Sequence, residues 1–360
     1  MSDPADLPEP DAVEGAPHPR HAARVFGHEA AEAAFLDACN AGRLHHAWLL
    51  TGPRGIGKAT LAWRMAAFLL APRSPGAATL DTDPASPLRR RMVALSEPRL
   101  KLLRRGPNEK GDQIETQITA EPVRALKRFF QLSAADGGHR VVILDPADEM
   151  NPTAANALLK ELEEPPPATT FLVVCHQPNR LLPTIRSRCR TLRLAPLSPA
   201  DLAAALEQAG IEPPADAPAL AELAGGSAGE AVRLLTLDGL ALWDALGQLL
   251  AKSPGMDRTA ALRFSEGFAG RANEPRFDLV LTLIDQMLAR LARAGIEGGR
   301  SNDPLARLAP SPAAGKHWAE LQQELSARAR HGKAVNLDPG SLILDTLLRI
   351  DGAAATLAPR

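Results

Sequence analysis

The chain has 360 residues, of which 45% are hydrophobic, and this is enough for two or three domains with buried cores. Its 41 Lys and Arg residues nearly balance its 42 Asp and Glu residues, for a formal net charge of -1. This balance excludes a global electrostatic attraction to nucleic acid or to an anionic membrane, so any such contact needs a local patch or a partner. No run of 18 or more apolar residues occurs, so no membrane span is predicted.

The first 22 residues are acidic and rich in proline, and they lack the basic start and apolar core of a signal peptide. This composition predicts a disordered leader over residues 1–22. The three cysteines of the chain are widely spaced and form neither a zinc pattern nor a disulfide framework. Both observations favour a cytoplasmic protein in a reducing compartment.

The next segment has the order strand, glycine-rich loop, helix. Helical spacing of apolar residues predicts a helix over residues 28–40, and the apolar run AWLLT predicts a strand over 47–51. The sequence GPRGIGKAT follows at 52–60, and a helix is predicted over 58–71. This is the order that a phosphate-binding loop requires.

Residues 72–112 are rich in Pro, Gly, Asp and Arg, which predicts irregular structure with one short helix near 86–95. Alternation then predicts a strand over 113–119. The remaining pattern alternates between helices and buried strands: a helix over 121–132, a strand over 139–145, a helix over 153–163, and strands over 169–175 and 191–194. Such alternation predicts an α/β domain over residues 23–195, built on a parallel sheet with helices on both faces.

After Ala195 the pattern is helical throughout. Ser198 followed by Pro199 has the form of an N-cap and a first helical residue. Prolines and glycines interrupt the helices that follow. We predict a small helical lid domain over residues 196–240 and a larger all-helical domain over 241–360.

The glycine loop has the composition of a phosphate cradle. Gly52, Gly55 and Gly57 allow backbone amides to converge on a phosphate, and Lys58 adds a positive charge at the start of a helix. The alternative is a chance glycine-rich turn before a helix, and the strand and helix in the required positions favour the phosphate cradle over it. These four residues are therefore candidate nucleotide-binding residues.

The same motif set lacks the groups that handle metal and water. Ala59 stands where a phosphate-binding loop carries a Ser or Thr for Mg²⁺, and Thr60 lies one position further round the helix. Asp145 ends a predicted strand and remains a candidate to hold magnesium through water, but the next residue is Pro146, which is no general base. The pattern predicts nucleotide binding that is weak or absent, and no hydrolysis.

Residues 148–189 contain the segments AANALLK, LEEPP and SRC. With the glycine loop and FGH at 26–28, this region resembles the bacterial clamp-loader subunits of the AAA+ superfamily over about residues 20–240. The resemblance implies an AAA+ P-loop domain, a small helical lid and an all-helical collar domain. It also implies a role in a hetero-oligomeric clamp loader of DNA polymerase III, with motor ATPase subunits and a delta subunit as partners, that loads a sliding clamp onto primed DNA.

The resemblance assigns a role to Arg188 of the SRC segment. In this family that arginine acts as a finger on ATP bound by the neighbouring subunit. Active members carry a Gly-Ser-x-Arg segment in the lid, where this chain has Gly-Ser-Ala-Gly at 226–229, and they carry Asp-Glu at the strand end. The resemblance therefore implies a subunit that braces the assembly and donates Arg188 without hydrolysing ATP itself.

Alternatives remain open from the sequence. A competent ATPase, such as a motor subunit, would need Asp148 or Glu149 to position water, and a pure scaffold would leave Arg188 idle. Relatives often hold a four-cysteine zinc module after the phosphate-loop helix, but no cysteine occurs between Cys39 and Cys175, so no metal site is predicted. The basic RLKLLRR segment at 99–105 is either a solvated loop or a contact to DNA or a partner.

Overall fold

A computed structural model of the chain describes residues 9–72, 76–108, 110–132, 138–270, 273–297 and 305–357. Contacts between residues divide these into two compact units, with the division between Arg233 and Leu234. The first unit includes residues 196–233, which are most of the segment 196–240 that was predicted to form a separate lid. The division into three domains remains a prediction.

The first unit is built on a parallel sheet of five strands in the order β2-β3-β4-β1-β5. The strand before the glycine loop, β1, pairs with β4 on one side and with β5 on the other, so that Thr51 lies opposite Cys175 and opposite Arg193. The strands are β1 (Ala47–Thr51), β2 (Leu100–Leu103), β3 (Arg140–Leu144), β4 (Thr169–Cys175) and β5 (Arg190–Arg193).

In the described residues, one helix precedes these strands and nine others follow or connect them. One helix begins at Ser198 as the sequence predicts: Ser198 accepts a hydrogen bond from the backbone N–H of Asp201, with proline at the next position. Asn151 caps another helix in the same way. The helices are α1 (Glu29–Asn40), α2 (Lys58–Leu70), α3 (Pro87–Val93), α4 (Ala120–Arg124), α5 (Leu126–Leu132), α6 (Pro152–Glu163), α7 (Pro183–Ser187), α8 (Pro199–Gln208), α9 (Ala217–Leu223) and α10 (Ala228–Thr236).

The sheet has a hydrophobic core on each face, because successive strand residues point to opposite sides. Trp48 and Leu50 of β1 pack in the core formed with α1, α2 and α3. Leu49 of the same strand packs in the core formed with α4, α5 and α6. The predicted α/β class, with helices on both faces of a parallel sheet, is confirmed.

Two expectations for the middle of the unit are wrong. The strand β2 lies inside the segment 99–105, which the sequence suggested to be a loop, and it pairs with β3 at the edge of the sheet. Conversely, residues 113–119 form no strand and make only two isolated bridges, from Ile114 to Pro107 and from Ile118 to Met150. Whether each segment forms a strand depends on pairing with a neighbouring strand, and the alternation of residues along one segment does not show such pairing.

The N-terminal segment also differs from its prediction as a disordered leader. Residues 9–21, which we call the N-terminal strap, pack on the first unit and end in a 3₁₀ turn at Pro19–His21. His18 is buried in this segment, and its ring lies edge-on to that of Trp63 with 5.9 Å between the centroids. The prediction of disorder is therefore wrong for residues 9–22, and residues 1–8 lie outside the described range.

The described residues of the second unit form helices joined by turns, without a strand among them. Two of its helices approach closely at a pair of glycines: a Cβ on Gly295 would lie 2.5 Å from the Cα of Gly315. Within the described ranges, none of the helices combines the length and apolar character that crossing a membrane requires. The helices are α11 (Gly239–Leu250), α12 (Arg258–Glu266), α13 (Glu274–Ile296), α14 (Pro312–Ala334) and α15 (Pro339–Leu357).

Candidate functional site

The glycine loop joins the end of β1 to the start of α2. Gly52, Gly55 and Gly57 have φ angles of 146°, 77° and 106°, a range that favours glycine. A Cβ on Gly52 would lie 2.5 Å from the backbone O of Leu194, and one on Gly55 would lie 2.4 Å from Oγ of Ser227. The loop therefore depends on glycine for both its conformation and its packing.

Lys58 lies at the base of this loop and is only 2% exposed. Its Nζ donates a hydrogen bond to the backbone O of Gly52 at 2.7 Å and a second to the backbone O of Pro53. Burial lowers the pKa of Lys58 to about 8, against the opposing effect of the negative charges of Asp145 and Asp148. The ammonium group is therefore held inward by carbonyls of its own loop.

Asp145 follows β3 and is also buried, with 5% of its surface exposed. Burial raises the pKa of Asp145 to about 7, and the negative charge of Asp11 adds to this effect. A carboxyl group with such a pKa is partly protonated at neutral pH and is then a poor ligand for Mg²⁺. Because Ala59 has no hydroxyl, the loop fits a phosphate group but its surroundings do not fit the metal.

The two acidic residues after Pro146 are engaged elsewhere. Asp148 accepts hydrogen bonds from the backbone N–H groups of His176 at 2.8 Å and Gln177 at 3.2 Å. The Oε2 atom of Glu149 lies 2.8 Å from Nε of Arg105 in an ion pair. Neither carboxylate is arranged as a replacement for the glutamate that Pro146 displaces.

The segment Gly226–Gly229 packs directly on the glycine loop. Ser227 Oγ donates to the backbone O of Arg54 at 2.8 Å, and the backbone N–H of Gly229 donates to the backbone O of Gly55 at 2.9 Å. A Cβ on Gly229 would lie 2.9 Å from the Cα of Gly55. Sequence reasoning noted only that this segment lacks an arginine, and nothing in its pattern reveals the contact.

These elements enclose a cavity of about 380 Å³. Its wall is formed by the glycine loop, by residues of the N-terminal strap and by residues of α8 and α10. Phe26 of the FGH segment lines it, while His28 lies behind the loop with Nε2 2.7 Å from the backbone O of Ile56. Of the predicted nucleotide-binding residues, those that line the cavity are Gly55, Gly57, Lys58, Thr60 and Asp145, and Gly52 supports the loop from outside the lining.

Arg188 lies apart from this cavity, at the C-terminal end of α7. Its Nη1 donates to the backbone O of Thr184 at 3.0 Å, and its Nη2 lies 2.9 Å from Oε1 of Glu163. Glu163 is the first glutamate of the LEEPP segment, and sequence reasoning gave it no role. The arginine side chain is 35% exposed, so both contacts leave the guanidinium accessible from outside.

The strand register places Arg188 and the glycine loop at opposite edges of the sheet. Arg190, two residues after Arg188, pairs with Trp48 near the start of β1, whereas the loop begins after Thr51, opposite Arg193. The length of β5 separates these edges by about 13 Å at about 3.3 Å per residue. Arg188 is therefore not positioned on the cavity of its own chain.

No candidate metal centre accompanies the cavity: within the described ranges, no group of three or more His, Cys, Asp or Glu side chains lies close enough together to hold an ion. The parallel sheet, the glycine loop between β1 and α2, and the helical segment packed on that loop define the first unit as a P-loop domain of the AAA+ class.

Comparison with known proteins narrows this class. Residues 27–198 match the sequence profile of the family described as DNA polymerase III, delta subunit. The subunit delta' of DNA polymerase III from Pseudomonas aeruginosa is 44% identical over 144 residues, which cover 40% of this chain and 41% of that protein. The subunit delta' from Escherichia coli is 34% identical over 214 residues, which cover 59% of this chain and 61% of that protein.

The chain is therefore similar to DNA polymerase III subunits: residues 27–198 match the family profile, and the two delta' relatives align over 144 and 214 residues. The aligned regions span 41% and 61% of the length of these two relatives. A longer alignment, to the subunit tau of Escherichia coli, is 27% identical and covers 95% of this chain and 48% of that protein.

Among solved structures, a DNA polymerase III gamma subunit-related protein from Thermotoga maritima aligns with 89% of this chain and 99% of its own. The TM-score of this alignment is 0.39 and the sequence identity is 16%.

Proposed function

We propose that this chain is a subunit of the DNA polymerase III clamp loader that hydrolyses ATP very weakly or not at all. It braces a hetero-oligomeric assembly with motor ATPase subunits and a delta subunit, which loads a sliding clamp onto primed DNA. Its chemical contribution is Arg188, which acts on ATP bound by the neighbouring subunit. The delta-prime relatives of residues 27–198 support the assignment to this complex.

The single observation that carries the proposal is the location of Arg188. The residue is accessible at the edge of the sheet opposite the glycine loop of the same chain, about 13 Å away by strand length. An arginine at that distance does not reach phosphates held by its own loop. If the SRC arginine acts on a nucleotide, it acts on one that another subunit presents.

The residues around the cavity of this chain support the second part of the proposal, that the chain hydrolyses ATP very weakly or not at all. Ala59 offers no hydroxyl for Mg²⁺, and Pro146 offers no carboxylate to act as a base on the attacking water. Asp148 and Glu149 are held by backbone amides and by Arg105. ATP or ADP can at most bind here weakly, held by the loop amides and Lys58, and no cofactor is required for the role of the chain in the complex.

A finger arginine stabilises negative charge that develops on the phosphoryl group in the transition state. Its guanidinium is planar and permanently charged, so it needs no proton transfer and presents several N–H donors at once. In P-loop NTPases such an arginine is worth roughly 10³–10⁵ in rate. The contacts from Thr184 and Glu163 use two of these donors and leave others for a phosphate.

The test is DNA- and clamp-stimulated ATP turnover by the assembled complex, with Arg188→Ala in this chain. We expect the ATP site served by Arg188 to lose nearly all of its turnover, so the rate of the complex falls by at least that site's share. Arg186→Ala is the matched control, because Arg186 is an exposed arginine on the same short helix. Unchanged turnover with Arg188→Ala, in a complex of normal composition, would contradict the proposal.

The two alternatives make different predictions in the same assay. A motor subunit would turn over ATP as an isolated chain, and Arg188→Ala would leave its own site active. A pure scaffold would tolerate Arg188→Ala without loss, as it tolerates Arg186→Ala. Only a subunit that donates its arginine shows no ATP turnover as an isolated chain and, when it carries Arg188→Ala, lowers ATP turnover at the neighbouring site.

A further inference from the structure

A side chain of the protein itself binds part of the wall of the nucleotide cavity. Besides the glycine loop, the cavity is lined by residues 21–26 and by the last part of α8, among them Arg24 and Gln208. Oε1 of Gln208 accepts a hydrogen bond from the backbone N–H of Arg24 at 2.8 Å, and Nε2 donates to the backbone O of the same residue at 3.0 Å. One carboxamide therefore engages both polar backbone groups of Arg24.

The two segments that this carboxamide joins are held in place by other contacts. Gln208 is the last residue of α8, and the buried side chains of Leu202 and Leu206 fix that helix on the first unit. On the other side, a Cβ on Gly27 would lie 2.9 Å from Cδ2 of Leu197, so the segment packs closely there as well. Loss of the carboxamide should therefore leave the fold intact.

The aromatic ring beside this contact is engaged too. Phe26 also lines the cavity, and Cζ of the Arg24 guanidinium lies 5.9 Å from the centroid of its ring. Proteins stack nucleobases on aromatic rings and guanidinium planes, and they read the edge of a base with hydrogen-bonding groups. In this chain the ring contacts the guanidinium of Arg24, and the adjacent backbone groups bind Gln208.

The carboxamide of Gln208 has the hydrogen-bonding pattern of one edge of adenine. It presents an acceptor, Oε1, beside a donor, Nε2. The Watson–Crick edge of adenine likewise presents the N1 acceptor beside the N6 amino donor. Hypoxanthine, the base of inosine, has nearly the same shape with the reverse pattern, an N1–H donor beside the O6 acceptor. The backbone of Arg24 therefore matches adenine and mismatches hypoxanthine.

We propose that Gln208 is a built-in competitor for the nucleobase, because its carboxamide holds the backbone groups of Arg24 that an adenine ring would bind. A contact within the chain forms without loss of translational freedom, whereas a free ligand loses that freedom on binding. Both hydrogen bonds are exposed to solvent, so the competition weakens binding of the base and does not abolish it. The inference rests on the proposed function, since it adds a cause at the base to the weak nucleotide binding.

The experiment measures binding of ADP and of inosine diphosphate to the isolated full-length chain by NMR titration without Mg²⁺. The two ligands carry the same phosphates, so the cations that line the cavity, among them Arg24, Arg54 and Lys58, act on both alike. The variant is Gln208→Ala. Glu207→Ala is the matched control, because Glu207 is the adjacent exposed residue of the same helix. Hydrogen exchange of the Arg24 amide reports whether the contact is present.

We expect Gln208→Ala to bind ADP about five- to tenfold more tightly than wild type, since about one net hydrogen bond of ordinary strength becomes free for the base. The affinity for inosine diphosphate should change by less than about twofold, because its base mismatches the backbone of Arg24. Glu207→Ala should resemble wild type with both ligands. The Arg24 amide should exchange faster in Gln208→Ala than in wild type, and ADP should slow it again.

Three binding results would overturn the inference. The first is an unchanged ADP affinity in Gln208→Ala, and the second is an equal gain for ADP and inosine diphosphate, which a merely wider cavity would give. The third is the absence of ADP binding to both wild type and Gln208→Ala. Equally fast exchange of the Arg24 amide in both proteins would overturn it too. Since no ATP turnover is measured, each of these failures leaves the proposed role of Arg188 standing.

Discussion

The contact between Glu163 and Arg188 gives a prediction about how the finger arginine is positioned. Glu163 is the last residue of α6, and its carboxylate lies 2.9 Å from Nη2 of Arg188. The prolines that follow end the helix there, so the position of the carboxylate is set by the LEEPP segment. Glu163→Gln removes the charge and keeps most of the shape of the side chain.

The size of the effect follows from the exposure of the pair. The two side chains are 35% and 49% exposed, so the ion pair is largely solvated and is worth about 0.2–1 kcal/mol. If this energy holds the guanidinium in its working position, its loss reduces ATP turnover at the served site by up to about fivefold. The stability of the chain itself should fall by less than about 1 kcal/mol.

A double-mutant cycle in the assembled complex separates positioning from a structural effect. We expect Glu163→Gln to lower kcat for ATP at the served site, with little change in KM, and to have no further effect once Arg188→Ala is present. Glu164→Gln is the control, since Glu164 is the adjacent exposed glutamate. An equal effect of Glu163→Gln in the presence and absence of Arg188 would refute the reasoning.

Two further predictions concern stability. The pKa of Asp145 is raised to about 7 in the folded chain, so the folded state binds more protons than the unfolded state between about pH 4 and pH 7, and this residue makes stability fall as pH rises through that range. Asp145→Asn should therefore gain roughly a few kcal/mol relative to wild type from pH 4 to pH 7 in urea denaturation, and a difference independent of pH would contradict this. Gly295→Ala should destabilise the second unit by about 1–3 kcal/mol, because its Cβ would meet Gly315, whereas Gly247→Ala in α11 should cost nothing, since no atom lies within 4 Å of its Cβ. Equal effects of the two glycine variants on thermal unfolding would count against this packing argument.

The sequence predicts the central elements of the fold closely, because their signal is local. The strands at 47–51 and 169–175 have the predicted bounds, since continuous apolar runs between turn residues are typical of strands buried on both faces. The glycine loop lies where the strand and helix predictions place it. In these places pattern, propensity and tertiary structure agree.

The features that the sequence does not predict depend on contacts between distant residues. The N-terminal strap has the composition of a disordered segment, and it is ordered through Arg104 and Arg105, more than 80 residues away along the chain. The short strand β2 is not predicted because it lies in the basic segment 99–105, whose residues Arg104 and Arg105 contact the strap. The contact of Gly229 with Gly55 joins two glycines, which carry no side-chain signal.

The residues of the candidate site also fall into those with a local sequence signal and those that depend on contacts between distant residues. Its residues in the glycine loop and Arg188 are marked by motifs, whereas Glu163 becomes visible only when the folded chain brings it to Arg188. The LEEPP segment offered a signal for Glu163, since two adjacent glutamates at the end of a predicted helix suggest an ion pair with a basic residue.

The most direct measurement is ATP turnover while this chain is titrated into its motor subunits and the delta subunit, with clamp and primed DNA present. The account predicts that the isolated chain shows no turnover, that wild type raises the rate of the mixture until the complex is saturated, and that Arg188→Ala assembles without the same increase. Robust turnover by the isolated chain, or an equal increase with Arg188→Ala, would contradict the account.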